Sequence, residues 1–127
     1  MINIILASKS KVRKEILKKN NIDCIVEHSQ VDEDLIKQSL LNEGATPEII
    51  SKNLAELKAN KVSQKKNEAI VIGADSVIDL EGEIVSKPLS RNQALEILKK
   101  LNGKKHYLIS SVCISKNGSM IWNYTDK

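Results

Sequence analysis

The chain has 127 residues, 41% hydrophobic and 28% charged, with a net charge of +4 at pH 7. That length suits a single domain with one core, and the composition excludes a disordered segment. The modest positive balance favours an anionic partner, a phosphorylated small molecule or a nucleic acid, without choosing between them.

Ile2 to Leu6 reads as an apolar strand beginning almost at the first residue. Ala7-Ser8-Lys9-Ser10 follows, then a helix from about Lys11 to Asn20 with Ser10 as its N-cap and Val12, Ile16 and Leu17 facing inward. A strand, a hydroxyl- and lysine-rich loop and a helix amino terminus together suit an anion, because unpaired amide hydrogens and the helix dipole both point at the loop. Ser8, Ser10, Lys11 and Arg13 are the candidates to face a phosphate; the plainer alternative is a capped helix with solvated charges. Asp23 to Val26 is a second strand, and three carboxylates, Asp32, Glu33 and Asp34, precede a helix over Leu35 to Asn42. Acids at a helix start favour its dipole. The functional alternative makes one of them, Glu33 first, a partner for a second carboxylate in holding a divalent cation.

Gly44 ends that helix, and Thr46-Pro47 opens another that runs to about Val62 with Ile50, Leu54, Leu57 and Lys61 on one stripe. Lys58 falls at the edge of the stripe, where its ammonium either snorkels to solvent or points into a cleft. Ala69 to Ile72 reads as a strand buried on both faces, and Gly73 as the point where the backbone turns. Asp75 would then sit just past the strand's carboxyl end, where open α/β sheets bind ligands. Val77 to Leu80, Glu81-Gly82 and Glu83 to Val85 read as a hairpin that returns Lys87, fixed by Pro88, to the same end of the sheet. A carboxylate and an ammonium so placed suit a metal-bound phosphate better than a core.

Ser90 to Gln93 is a capping box, and the helix it opens carries Ala94, Leu95, Ile97, Leu98 and Leu101 before Gly103 closes it. His106 to Ile114 reads as a central strand whose Ser110 and Ser111 are either satisfied core hydroxyls or reach a ligand. Asn117-Gly118 is a two-residue hairpin turn, and Met120 to Tyr124 pairs back. His28 and His106 lack metal-ligand spacing and read as structural or solvated. Cys24 and Cys113 lie far apart inside apolar runs and read as buried free thiols in a reducing compartment. No apolar run reaches membrane-spanning length and no signal-peptide pattern is present, so the cytoplasm is the expected location and a membrane is not an expected partner.

Taken in order, Leu6-Ala7-Ser8-Lys9-Ser10 with Arg13, Val31-Asp32-Glu33, Leu54 to Ala59, Val71 to Asp75, Ser86-Lys87-Pro88, and Leu101-Asn102-Gly103 with His106 resemble the Maf family of nucleoside triphosphate pyrophosphatases. The later part, through Trp122, is most similar to the bacterial Maf-like branch. The resemblance implies an α/β fold: a mixed twisted sheet flanked by helices, similar to inosine triphosphatases, with a cleft between two lobes. It spans residues 1–127 as one domain, and because family members continue further, the second lobe is expected to be incomplete. It implies metal-dependent hydrolysis of non-standard or pyrimidine nucleoside triphosphates to monophosphate and pyrophosphate, with Mg²⁺ or Mn²⁺. By that resemblance Asp75 would accept the proton, Glu33 and Asp75 would hold the metal, and Arg13, Lys58 and Lys87 would contact phosphates. Ser8 and Ser10 belong to the phosphate loop, and Val12 and Ser76 occupy positions that help choose the base. Lys11-Val12-Arg13 stands where many members have Pro-Arg-Arg, so base preference does not transfer. The rivals are an inactive nucleotide-binding remnant and a basic nucleic-acid-binding module; with aromatics at 2% and no dense Lys/Arg stripe, the last is disfavoured. A homodimer is an open expectation.

Overall fold

The computed structural model describes residues 3–8, 10–85 and 90–127. In chain order the elements are β1 (Ile4–Leu6), α1 (Lys11–Lys19), β2 (Ile25–Val26), α2 (Glu33–Asn42), α3 (Pro47–Ser63), β3 (Ile70–Leu80), β4 (Glu83–Val85), α4 (Arg91–Leu101), β5 (His106–Lys116) and β6 (Ser119–Asp126). The strands form one mixed sheet in the order β2-β1-β3-β5-β6, with β4 also on β3. β1 runs parallel to β2 and β3, and every other pairing is antiparallel. The α/β architecture, a mixed sheet flanked by helices, is the one expected.

Local chemistry explains most of the element ends. Ser10, Asp32, Thr46 and Ser90 cap their helices by accepting from the backbone amides of Arg13, Leu35, Ile49 and Gln93. Asp32 as cap starts α2 at Glu33, two residues earlier than the apolar pattern indicates, and this seats Glu33 in the first turn. Both hairpins turn as anticipated: Glu81-Gly82 and Asn117-Gly118 have positive φ at both central residues, whose twist matches that of the strands they join.

The core lies between the sheet and α3. Ile5, Ala7, Val71 and Cys113 from the sheet side meet Ala55, Ala59 and Val62 of the helix. The helix stripe differs from the expected one. Ile50, Ser51, Leu54, Ala55, Lys58, Ala59 and Val62 are buried, whereas Leu57 is 41% exposed. Lys58 therefore sits in the middle of the buried face, not at its edge, because the residues beside it that touch the sheet are small.

Gly73 is a second correction. The chain does not turn there: β3 continues unbroken from Ile70 to Leu80, so Asp75 lies inside the strand rather than past its end. The glycine is present because α3 comes too close for a side chain. A Cβ at Gly73 would sink into the carbonyl oxygen of Ala55 and lie 2.8 Å from the amide nitrogen of Ala59.

The inward face assigned to α1 is also not buried. Val12 and Ile16 are 63% and 52% exposed, and α4 likewise buries none of its residues. The periodic stripe exists on both helices, but no described element covers it.

The cysteines separate in character. Cys113 is fully buried, and desolvation pushes its thiol up to about 11, while Cys24 is only partly buried, just ahead of β2, and not within a strand. Since the thiolate is the nucleophile, folded protein at pH 8 is expected to react with a thiol reagent at Cys24 and to spare Cys113 until denaturant is added. Equal labelling of both thiols in native buffer, read by peptide mass, would contradict the packing.

No helix among the described residues is long and apolar enough to cross a membrane.

Candidate active site

Two strands share one edge of β3 and leave a gap between them. β1 pairs with Ile70 to Ile72, and β4 pairs with Ile78 to Leu80. β5 holds the other edge from Val71 to Leu80. Gly73 to Val77 therefore has, among the described residues, no strand neighbour on the first edge. Strand alternation directs neighbouring side chains to opposite faces, so Asp75 meets α3 while Ser76 meets α1. The site is thus at the carboxyl end of the parallel strand β1, although not at the end of β3 itself.

On the α3 side, Lys58 and Asp75 are 6% and 7% exposed. The Lys58 ammonium lies 2.5 Å from Glu33 Oε1, 3.2 Å from Asp75 Oδ1 and 3.2 Å from the Ala74 carbonyl oxygen. Three acceptors match its three donors, so a buried cation is fully partnered. Ser51, one helical heptad before Lys58, donates to the Asp75 carbonyl at 3.1 Å. Burial raises the Asp75 carboxyl above its ordinary 3.8; the nearby Lys58 charge and its hydrogen bond pull the other way, and the Glu33 charge adds to the rise. Among the described residues, Asp75 Oδ2 is buried with no hydrogen-bond partner.

On the α1 side, the Ser8 hydroxyl accepts from the Ser10 amide and from Arg13 Nη1, each at 3.1 Å. Arg13 Nη2 reaches Ser76 Oγ at 3.5 Å, and Ser76 shares a 2.9 Å hydrogen bond with Ser110. A cleft of about 520 Å³ opens over this edge, walled by Ser8, Ser10, Arg13, Glu33 and Lys58. Its far wall includes Ser29 and Gln30, a segment anchored by Lys61, which donates to the Gln30 carbonyl at 2.7 Å.

Ser8, Ser10, Arg13, Ser76, Glu33, Lys58 and Asp75 are therefore neighbours, drawn from β1's loop, α1, α2, α3 and β3. Val12 is on α1 beside them with its side chain in solvent. Lys87 lies outside the described residues. Ser51, Ser29 and Gln30 escaped the sequence reading: an isolated serine on a helix and a polar connector carry no pattern, and Gln30 takes a positive φ with no residue type to announce it. The only early sign of Ser51 was its place on the stripe with Leu54 and Lys58.

No group of three or more His, Cys, Asp or Glu side chains is arranged to hold a metal ion among the described residues. Glu33 and Asp75 converge on the Lys58 ammonium, which fills the point between them; a hard divalent ion would fit these two carboxylates, one with a buried unpaired oxygen, once that ammonium moves aside, taking its remaining ligands from substrate phosphates and water.

The Maf-like protein family matches residues 3–127. The chain is 73% identical over 124 residues to a nucleoside triphosphate pyrophosphatase of Pelagibacter ubique, covering 98% of this chain and 64% of the relative. It is 44% identical to one of Ruegeria sp., covering 96% of this chain and 61% of the relative. A 7-methyl-GTP pyrophosphatase of Brucella abortus is 37% identical, with 97% of this chain and 62% of the relative covered. The chain thus spans 61% to 64% of the length of these curated relatives. Among solved structures it is similar to the Staphylococcus aureus Ham1 protein, with a TM-score of 0.58, 17% identity, and 97% and 67% of the two chains covered. A HAM1 protein from Coxiella burnetii gives 0.53 at 14% identity, with 98% and 68% covered. These two likenesses concern the fold alone.

Proposed function

The chain belongs to the Maf-like protein family, and on that footing we propose that it hydrolyses nucleoside triphosphates to monophosphate and pyrophosphate. The observation that carries the reading is the buried Lys58–Asp75 pair, with its unpaired Asp75 oxygen, joined by the half-exposed Glu33 behind a cleft walled by Ser8, Ser10 and Arg13.

Water attacks the α-phosphorus: its oxygen forms the new P–O bond, the bridging P–O bond breaks, and pyrophosphate leaves with the electron pair. Asp75 takes the proton from the water, a task suited to a carboxyl that burial has made more basic than usual. Phosphoryl transfer asks mainly for positioning and charge neutralisation, which Arg13 supplies and Lys58 joins once a phosphate oxygen takes the place of one of its three present acceptors, with Lys87 as a third cation. The Ser8–Ser10 loop and the amino end of α1 receive phosphate oxygens. Val12 and Ser76 stand next to Arg13 and bear on the choice of base. A Mg²⁺ or Mn²⁺ ion held by Glu33 and Asp75 would neutralise phosphate charge and lower the pKa of a bound water.

A screen of standard and modified triphosphates, 7-methyl-GTP and pyrimidine forms included, should reveal at least one that yields pyrophosphate in the presence of Mg²⁺ or Mn²⁺. Silence across the whole set would overturn the reading. Arg13→Lys keeps the charge but cannot hold Ser8 and Ser76 with one planar fork. Its affinity for triphosphate should drop about tenfold, the worth of one charge-assisted hydrogen bond, and calorimetric titration measures it.

A further inference from the structure

We infer that Ser110 on β5 is a positioning residue for the phosphate grip, acting through Ser76 on Arg13. The inference rests on the function proposed above and adds to it a residue that makes no direct approach to the cleft.

The geometry is a chain of polar contacts. Arg13 Nη2 donates to Ser76 Oγ, and Ser76 Oγ is 2.9 Å from Ser110 Oγ. Guanidinium nitrogens only donate, so Ser76 must present a lone pair to Arg13. A hydroxyl rotates freely unless its own hydrogen is engaged, and Ser110 is the acceptor within reach. With its proton given to Ser110, the Ser76 oxygen becomes the better acceptor, because linked hydrogen bonds polarise one another.

The other nitrogen, Nη1, is held by Ser8, itself fixed by the Ser10 amide. The guanidinium is thereby clamped between the β1 loop and the sheet, and its remaining N–H groups stay available to phosphate oxygens in the cleft that Arg13 lines. Ser110 and Ser76 are register partners across β3 and β5, so the backbone ladder sets their separation. This explains two consecutive serines in a central strand otherwise rich in apolar residues: Ser111 points to the α3 side, where it bonds Thr125, and Ser110 to the α1 side. It also gives Ser76 a task in the phosphate grip apart from any part in choosing the base.

Ser110→Thr and Ser110→Val have nearly the same shape and differ in the hydroxyl, which isolates the hydrogen bond from packing. Using inorganic tripolyphosphate as the probe, the Thr variant should bind within about twofold of the parent and the Val variant about five- to tenfold more weakly, the range expected for one disrupted contact. KM for the best triphosphate should follow the same order. Should Val not fold, Ser110→Ala takes its place, and the Arg13 side-chain NMR signals, sharp in parent and Thr variant, should broaden in Ala. Equal binding by parent, Thr and Val or Ala variants overturns the positioning role, as does a Thr variant as weak as Val. A parent that binds tripolyphosphate yet releases no pyrophosphate from any triphosphate overturns the hydrolytic reading alone, and the binding order still decides the role of Ser110. A parent that does not bind tripolyphosphate overturns both.

Discussion

Asp75→Asn should lower the rate of pyrophosphate release by about 10²- to 10⁴-fold, the contribution of a positioned general base. The substitution keeps the shape of the side chain, and triphosphate binding measured in parallel with and without Mg²⁺ separates the loss of the base from the loss of a metal ligand: binding in chelator is retained. What is lost is an acceptor for the proton of the attacking water. A variant that turns over at the parent rate removes Asp75 from that role. The same carboxyl leaves a second trace in protein held in chelator without nucleotide. Burial raises its folded-state pKa above 3.8, so the unfolded chain releases this proton first as pH rises. The stability this group contributes is full below 3.8 and is lost as pH climbs through the raised value. Urea titrations across that window should show the decline in the parent, with this component missing from the Asn variant.

Gly73→Ala should give the largest stability loss of any single methyl addition in the sheet, about 3 kcal/mol, the upper end for overpacking. The reason is where the new carbon would go. It meets the Ala55 carbonyl oxygen and the Ala59 amide nitrogen, both backbone atoms of α3 that no rotamer change can move. Adding Ala59→Gly removes one side-chain contact at 2.9 Å but leaves both backbone contacts, so the double variant should recover little. Chemical denaturation of the three proteins tests this; a Gly73→Ala protein as stable as the parent would mean that α3 stands further from β3. The consequence reaches the site, because α3 also carries Lys58 and Ser51, and moving the helix away from β3 pulls both from Asp75.

The mistaken turn at Gly73 is instructive. Glycine after a short apolar run has the same local signature whether the chain turns or whether another backbone passes close by. Only the position of α3 distinguishes them. The placement of Lys58 failed for a related reason. Helical spacing identifies which residues share a face, but the centre of the face was assigned from the large apolar side chains, Leu57 among them. The actual contact is made through Ser51, Ala55 and Ala59, which a hydrophobic pattern weights lightly. The outward stripes of α1 and α4 show the same limit from the other direction: periodicity reports that Val12, Ile16, Leu95 and Leu98 lie to one side, not what covers them.

Where the controlling physics is local, the chain alone was sufficient. The capping hydroxyls at Ser10, Thr46 and Ser90, and the hairpins at Glu81-Gly82 and Asn117-Gly118, depend on backbone groups a few residues away. Residue order also named the charged groups around the cleft. Tertiary structure alone decided that Asp75 lies within a strand, that Lys58 is buried between two carboxylates, and that a serine pair ties Arg13 to the sheet. Those outcomes depend on how closely a helix approaches a sheet and on which strand edge is left open, distances set by residues far apart along the chain.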